Sequence, residues 1–193
     1  MFDFKKYTEI NELINNLGKK TEIIAISKNH SLEQVEKAID SGLEVFGENR
    51  VQEAKFKFEK IINEQKKIKL HLTGPLQTNK VKIALDLFHV FHTIDREKLL
   101  KEFSKFKDKI LNKKFFIQVN TGKELTKSGI NPEDTKNFLN LCISYGVSNI
   151  SGLMCIPPIN EDPKKHFQLI SDLSNDLGLG RPSIGMSSDY IEA

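Results

Sequence analysis

Short apolar runs alternate with amphipathic helical stretches along the whole chain, and no other feature of the sequence limits its fold so strongly. Residues 23–27, 43–46, 68–72, 88–93, 115–119, 147–154 and 182–186 read as seven strands, rich in Ile, Val, Leu and Phe and bounded by Gly, Pro, Asn or Ser. Helical spacing fills the gaps. Phe4, Tyr7, Ile10, Leu13 and Ile14 share a face, as do Leu32, Val35, Ala38 and Ile39, then Val51, Ala54, Phe58, Ile61 and Ile62. Leu99, Phe103 and Phe106 repeat the pattern, with Asp95 expected to cap their helix. Phe138, Leu139 and Cys142 follow, then Phe167, Ile170, Leu173 and Leu177. Ser31-Leu32-Glu33-Gln34 has the form of a capping box, and Asn131-Pro132 and Asp162-Pro163 each place a cap residue before a proline at the first helical position.

Seven consecutive strand–helix steps require a parallel sheet with right-handed crossovers. An open doubly wound sheet and a (β/α)8 barrel both satisfy that requirement. Seven units with a leading helix lean towards a TIM-barrel-like α/β fold that lacks its eighth βα unit. No G-x-G-x-x-G turn follows the first strand and no G-x-x-x-x-G-K phosphate loop occurs, which counts against dinucleotides and nucleoside triphosphates.

Charge and cysteine content narrow the class further. The balance of 29 Lys and Arg against 26 Asp and Glu leaves only +3, so no global field points to nucleic acid. The lysine-rich runs 55–69 and 101–114 are interleaved with Phe, Ile and Leu, and read as the wet faces of amphipathic helices, with a basic groove for RNA as the lesser possibility. No apolar stretch approaches the roughly 18 residues of a membrane span. Residues 1–6 contain no apolar signal core. Cys142 and Cys155 form neither a metal spacing nor a disulfide framework and read as reduced core thiols. A cytoplasmic protein without a metal site is expected. His89 and His92 flank the fourth strand with no carboxylate at metal spacing, and His166 lies within a predicted helix.

In a barrel the carboxyl ends of the strands furnish the site. Here they present Ser27-Lys28, Gly47-Glu48-Asn49, His71 with Thr73-Gly74, His92, Gln118 with Asn120, Met154, and Met186-Ser187-Ser188-Asp189. Lysine at such a position can form a Schiff base with an aldehyde. Ser187-Ser188-Asp189, read as a helix start, either offers N–H groups and hydroxyls to an anion or serves as a plain N-cap.

Taken together, Ala25-Ile26-Ser27-Lys28, the run from Phe46 to Glu53, the run from His71 to Lys80, Gln118-Val119-Asn120, the run from Gly152 to Pro158 and Gly185-Met186-Ser187-Ser188-Asp189 resemble the YggS/PROSC family of pyridoxal phosphate homeostasis proteins. The resemblance runs from about residue 3 to residue 193. It departs at Leu70, where the family usually has tryptophan, and at Leu72-Thr73 in place of a usual Phe-Ile. It implies the barrel of fold-type III enzymes such as alanine racemase, without their second domain. Lys28 would hold pyridoxal 5'-phosphate as a Schiff base. Asn49, Met186 and Ser187 would surround the cofactor, with Ser187 near its phosphate and His71 a weaker lining candidate. The family is thought to buffer and deliver the cofactor rather than turn over a substrate, so the implied partners are pyridoxal phosphate and cofactor-dependent apoenzymes. A monomer is expected, binding neither membrane nor nucleic acid. Family members continue through an eighth strand with an Arg-x-Gly-x-x-Ile-Phe-Gly-like segment. Residues 1–193 are therefore expected to form one cofactor-binding barrel domain, incomplete at its carboxyl end. A truncated product with impaired cofactor retention fits the same residues. So does a racemase, for which only Tyr7, Tyr145 and Tyr190 could oppose the lysine, and so does a Schiff-base lyase that uses no pyridoxal phosphate.

Overall fold

The computed structural model of the chain describes residues 3–18, 20–64, 67–180 and 182–193. Residues 1 and 2 of the amino-terminal stretch, and residues 65 and 66 of the first lysine-rich run, lie outside that description. Six strands hydrogen-bond in simple sequence order: β1 (Ala25–Ile26), β2 (Val45–Glu48), β3 (Lys69–Leu72), β4 (Val90–Ile94), β5 (Lys114–Gln118) and β6 (Ile150–Met154). Every pairing is parallel. Because the order never reverses, the sheet is that of a TIM-barrel-like α/β fold and not of a doubly wound one. Helix α1 (Phe4–Asn16) leads in. Then α2 (Leu32–Asp40), α3 (Val51–Asn63), α4 (Val81–Leu87), α5 (Glu97–Phe103) with α6 (Lys107–Ile110), α7 (Thr135–Ser144) and α8 (Pro163–Asp176) fill the crossovers and follow β6.

The core lies between the sheet and the helices. Alternate strand residues face it: Phe46 on β2, Leu70 and Leu72 on β3, Phe91 on β4, Phe115 and Ile117 on β5, and Leu153 on β6, all buried. Phe91, Phe103 and Phe115 form an aromatic cluster, stacked or edge-on with centroids 5.2–5.4 Å apart. The intervening residues face the concave side. There His92 of β4 comes within hydrogen-bonding distance of Ser183, its Nδ1 2.8 Å from the hydroxyl. Ser183 lies beside the far edge strand β6, so the sheet is curled enough for its fourth strand to reach past its sixth across the interior.

Local signals account for the starts of α1, α2 and α8, where a side chain caps the first turn. Ser31 Oγ accepts from the Gln34 N–H while the Gln34 side chain accepts from the Ser31 N–H, completing the capping box on α2. Asp162 caps α8 by accepting from the Lys164 N–H. Asp95 does not cap α5. Its carboxylate accepts instead from the Arg96 guanidinium, and Arg96 takes the cap position without a side-chain bond.

Two further expectations change at the carboxyl end. The seventh strand shrinks to one bridge, in which Ser183 donates to Leu153 O and accepts from the Cys155 N–H opposite Met154. Pro182 has no N–H to extend the ladder, and the Met186 N–H turns away to Asp189 Oδ1. Residues 187–192 form turns rather than a helix. No helix among the described residues is long and apolar enough to cross a membrane.

Candidate functional site

The carboxyl ends of β1, β2 and β3 lie side by side and bring together the segments that carry Lys28, Asn49 and Thr73. On β2 a Cβ at Gly47 would lie 2.6 Å from Ile26 Cδ1 and 2.9 Å from Ile24 Cγ2, with Thr73 Cγ2 at 3.5 Å. These four residues therefore share the concave face. Lys28 lies two residues beyond Ile26, in the turn that follows β1, while the Ser27 hydroxyl bonds Glu48 on the helix side. Lys28 is exposed and, among the described residues, makes no hydrogen bond or ion pair. Asn49, two residues beyond Gly47, is half-buried on the same side, where its Oδ1 accepts from Thr73 Oγ1 at 2.9 Å. Gly74 makes that approach possible, since a Cβ there would meet the Asn49 carbonyl oxygen at 2.4 Å.

Behind Lys28, on the helix side, lies a buried ionic knot. Glu48 reads as a loop residue in the sequence, but it is the last residue of β2 and fully buried. Lys57 of α3 is only 4% exposed, against the expectation that its run is a solvated face. Its ammonium spends all three N–H donors: on Glu48 Oε1 (2.8 Å), Glu53 Oε1 (2.7 Å) and the Ser27 carbonyl (2.6 Å). Ser27 Oγ donates to Glu48 Oε1 at 2.7 Å, and the Asn29 N–H donates to Glu53 Oε1 at 2.7 Å. The Lys57 ammonium, helped by the Asn29 N–H, holds the Glu53 carboxyl below the usual carboxylate range despite its partial burial. Sequence reading missed this group, although a signal existed. Lys57 sits three residues after Ala54 and four before Ile61, inside the apolar stripe of α3, and four after Glu53.

A second polar chain crosses the concave interior. His71 Nδ1 and His92 Nε2 lie 2.9 Å apart, His92 continues to Ser183, and the rings of His71, His92 and Phe116 stack in series. Burial pushes both imidazoles down to about 3, with Lys69 adding to the effect at His71, and His71 itself at His92. Both are therefore neutral near pH 7, and one proton is shared along each contact. His71 reads in the sequence as a lining candidate; it belongs to this chain with His92, which ties the segment bearing Met186 and Ser187 to the strands.

Met186 and Ser187 sit on an exposed turn. The Met186 N–H is taken by Asp189 Oδ1 at 2.5 Å, which closes that donor to an anion, and no helix follows for the segment to cap. The Ser187 and Ser188 hydroxyls remain exposed. The remaining residues singled out lie elsewhere. His89 Nδ1 accepts from the Leu70 N–H, and His166 contacts Thr121 Oγ1 at 2.9 Å. Burial raises the Cys142 and Cys155 thiols to about 12, which leaves them inert as nucleophiles. No three His, Cys, Asp or Glu side chains among the described residues gather as a metal site. What the rim offers chemically is an exposed primary amine in the turn after β1, an amide at the end of the neighbouring β2, and a hydroxyl-bearing turn. These suit an aldehyde that also carries polar groups.

The sequence matches the family model described as alanine racemase, N-terminal domain, over residues 7–192. The pyridoxal phosphate homeostasis protein of Aquifex aeolicus (strain VF5) is 34% identical over 179 residues, which cover 87% of this chain and 77% of that protein. Among solved structures, PipY of Synechococcus elongatus PCC7942 is 27% identical and covers 95% of this chain and 91% of its own. The TM-score is 0.77 for PipY without PLP and 0.74 for PipY with PLP bound. An alanine racemase from Clostridium difficile 630, at 11% identity and a TM-score of 0.63 over 93% of this chain and 50% of its own, shares the fold.

Proposed function

Because the chain belongs to the pyridoxal phosphate homeostasis proteins of the alanine racemase N-terminal domain family, we propose that it binds pyridoxal 5'-phosphate on Lys28 and holds the cofactor rather than turning over a substrate. The observation that carries this reading is the Lys28 amine itself. It is exposed, free of any ion pair among the described residues, and at the carboxyl end of the first parallel strand beside Asn49. The donors around it fit the group. Lys28 would hold the cofactor through its aldehyde, with the loss of one water. Asn49 would line the site beside Lys28, and Met186 and Ser187 would form the remaining wall, with the Ser187 hydroxyl available to the phosphate. The stacked His71, His92 and Phe116 support that wall through Ser183.

A holding role is supported by where the tyrosines lie. Tyr145 donates its hydroxyl to Glu97, and the Lys6 ammonium lies over the Tyr190 ring, 5.4 Å from its centroid. A racemase needs an acid–base group facing the lysine, whereas the Tyr145 hydroxyl is committed to Glu97 and the Tyr190 ring lies against Lys6. Titration of the purified chain with pyridoxal phosphate should produce a visible absorption band that is fixed by borohydride, and Lys28→Ala should remove it. A wild-type chain without a Lys28-dependent band overturns the reading. Turnover of D- or L-alanine by the loaded protein would replace it with the racemase.

A further inference from the structure

The ionic knot behind Lys28 grips the main chain on both sides of that residue without touching its side chain. Lys57 Nζ holds the Ser27 carbonyl at 2.6 Å, and Glu53 Oε1 holds the Asn29 N–H at 2.7 Å. Asn29 is in the left-handed region at φ 64°, one of only two non-glycine residues at positive φ among the described residues. Such a conformation persists where its surroundings over-determine it. Glu48 Oε2 is buried without a hydrogen-bond partner, so the knot exists despite an unsatisfied acceptor. A group assembled only for packing would not need to single out the two peptide groups that flank the exposed lysine.

We propose that Lys57 and Glu53 are positioning residues for Lys28: by clamping the Ser27 carbonyl and the Asn29 amide from the helix side, they set the direction in which Lys28 leaves β1 towards the concave face. The inference rests on the reading of Lys28 as the pyridoxal phosphate lysine. It adds that the cofactor's affinity depends on two residues that never contact it. Glu53 carries the decisive link, because it alone couples α3 to the residue after Lys28. Glu53 is also only partly buried, so its loss leaves the Lys57–Glu48 pair intact.

The test compares Glu53→Ala, Glu53→Gln and wild type as full chains, at a temperature well below every melting midpoint. Glutamine keeps an oxygen that accepts from the Asn29 N–H, and alanine does not. Two readouts are taken. The first is hydrogen exchange of the Asn29 amide without cofactor, expected to quicken by about 100-fold in Glu53→Ala and by less than about threefold in Glu53→Gln, with the Leu70 and Leu72 amides unchanged. The second is the pyridoxal phosphate titration, expected to weaken by about tenfold in Glu53→Ala, with a reduced circular-dichroism signal in the visible band, and to be restored within about twofold by glutamine. Unchanged exchange at Asn29, or equal affinity in Glu53→Ala and wild type, overturns the proposal. So does an affinity loss that glutamine fails to rescue. If wild type itself takes up no pyridoxal phosphate, the functional reading falls, and exchange at Asn29 alone upholds or overturns the clamp.

Discussion

At the scale of single residues, the site depends on a few atoms with no room to move. Gly74 is one: Asn49 backbone and side-chain atoms lie 2.4–2.8 Å from where a Cβ would stand. Gly74→Ala should therefore cost about 2 kcal/mol in thermal or urea unfolding, by forcing β2 and β3 apart at their carboxyl ends. It should weaken pyridoxal phosphate binding as well, since Asn49 moves with them. Lys57 is another. Lys57→Met leaves the fully buried Glu48 carboxylate without its counter-charge and should destabilise the chain by about 3–5 kcal/mol. Adding Glu48→Gln should recover a large part of that loss, and a double-mutant cycle on the urea midpoint reads the difference. Lys57 was half legible. Its place in the apolar stripe of α3 can be read from the sequence, but its partners Glu48 and Ser27 come from other strands and only the fold supplies them.

At the scale of elements, local chemistry decided the start of α2, and pairing decided the strands. The capping box at Ser31 was readable because it involves four consecutive residues and no distant partner. Ser31→Ala should lower stability by about 1 kcal/mol, loosening the start of α2 just after Lys28, which calorimetry would detect. Strand limits were less readable. The apolar run 43–46 suggested a strand ending before Gly47, yet β2 runs Val45–Glu48 because Gly47 and Glu48 pair with His71 and Leu72. At the carboxyl end the run 182–186 looked like a strand, but Pro182 and the Asp189–Met186 contact leave only Ser183 in the ladder.

For the whole molecule, the curl of the sheet creates a property that no single element has. His71 and His92, on adjacent strands and stacked in the interior, titrate near 3 when folded, against an ordinary value of 6.5. The unfolded chain binds protons at these sites that the folded chain does not, so stability rises with pH between those limits and falls on acidification. Below pH 6.5 stability should fall as the unfolded chain takes up protons that the buried imidazole pair excludes, levelling off near pH 3. Melting midpoints between about pH 7.5 and 4.5 should fall accordingly, and the slope should lessen in His92→Gln. A flat profile across that range would mean that these imidazoles take up protons in the folded chain as readily as in the unfolded one.

The alternation of strand and helix, the parallel sheet, the caps on α2 and α8, and the place of Lys28 at a strand end were determined by the sequence alone. Each follows from periodicities and contacts within a few residues, and the family landmarks extend the reading to Asn49, Met186 and Ser187. The tertiary structure decided which strand residues face inwards and where each strand stops. It also decided that Lys57 is buried and that His92 meets Ser183 across 91 residues of chain. Those outcomes depend on hydrogen bonding between distant segments and on removal of charges from water, quantities that no local pattern of residues encodes.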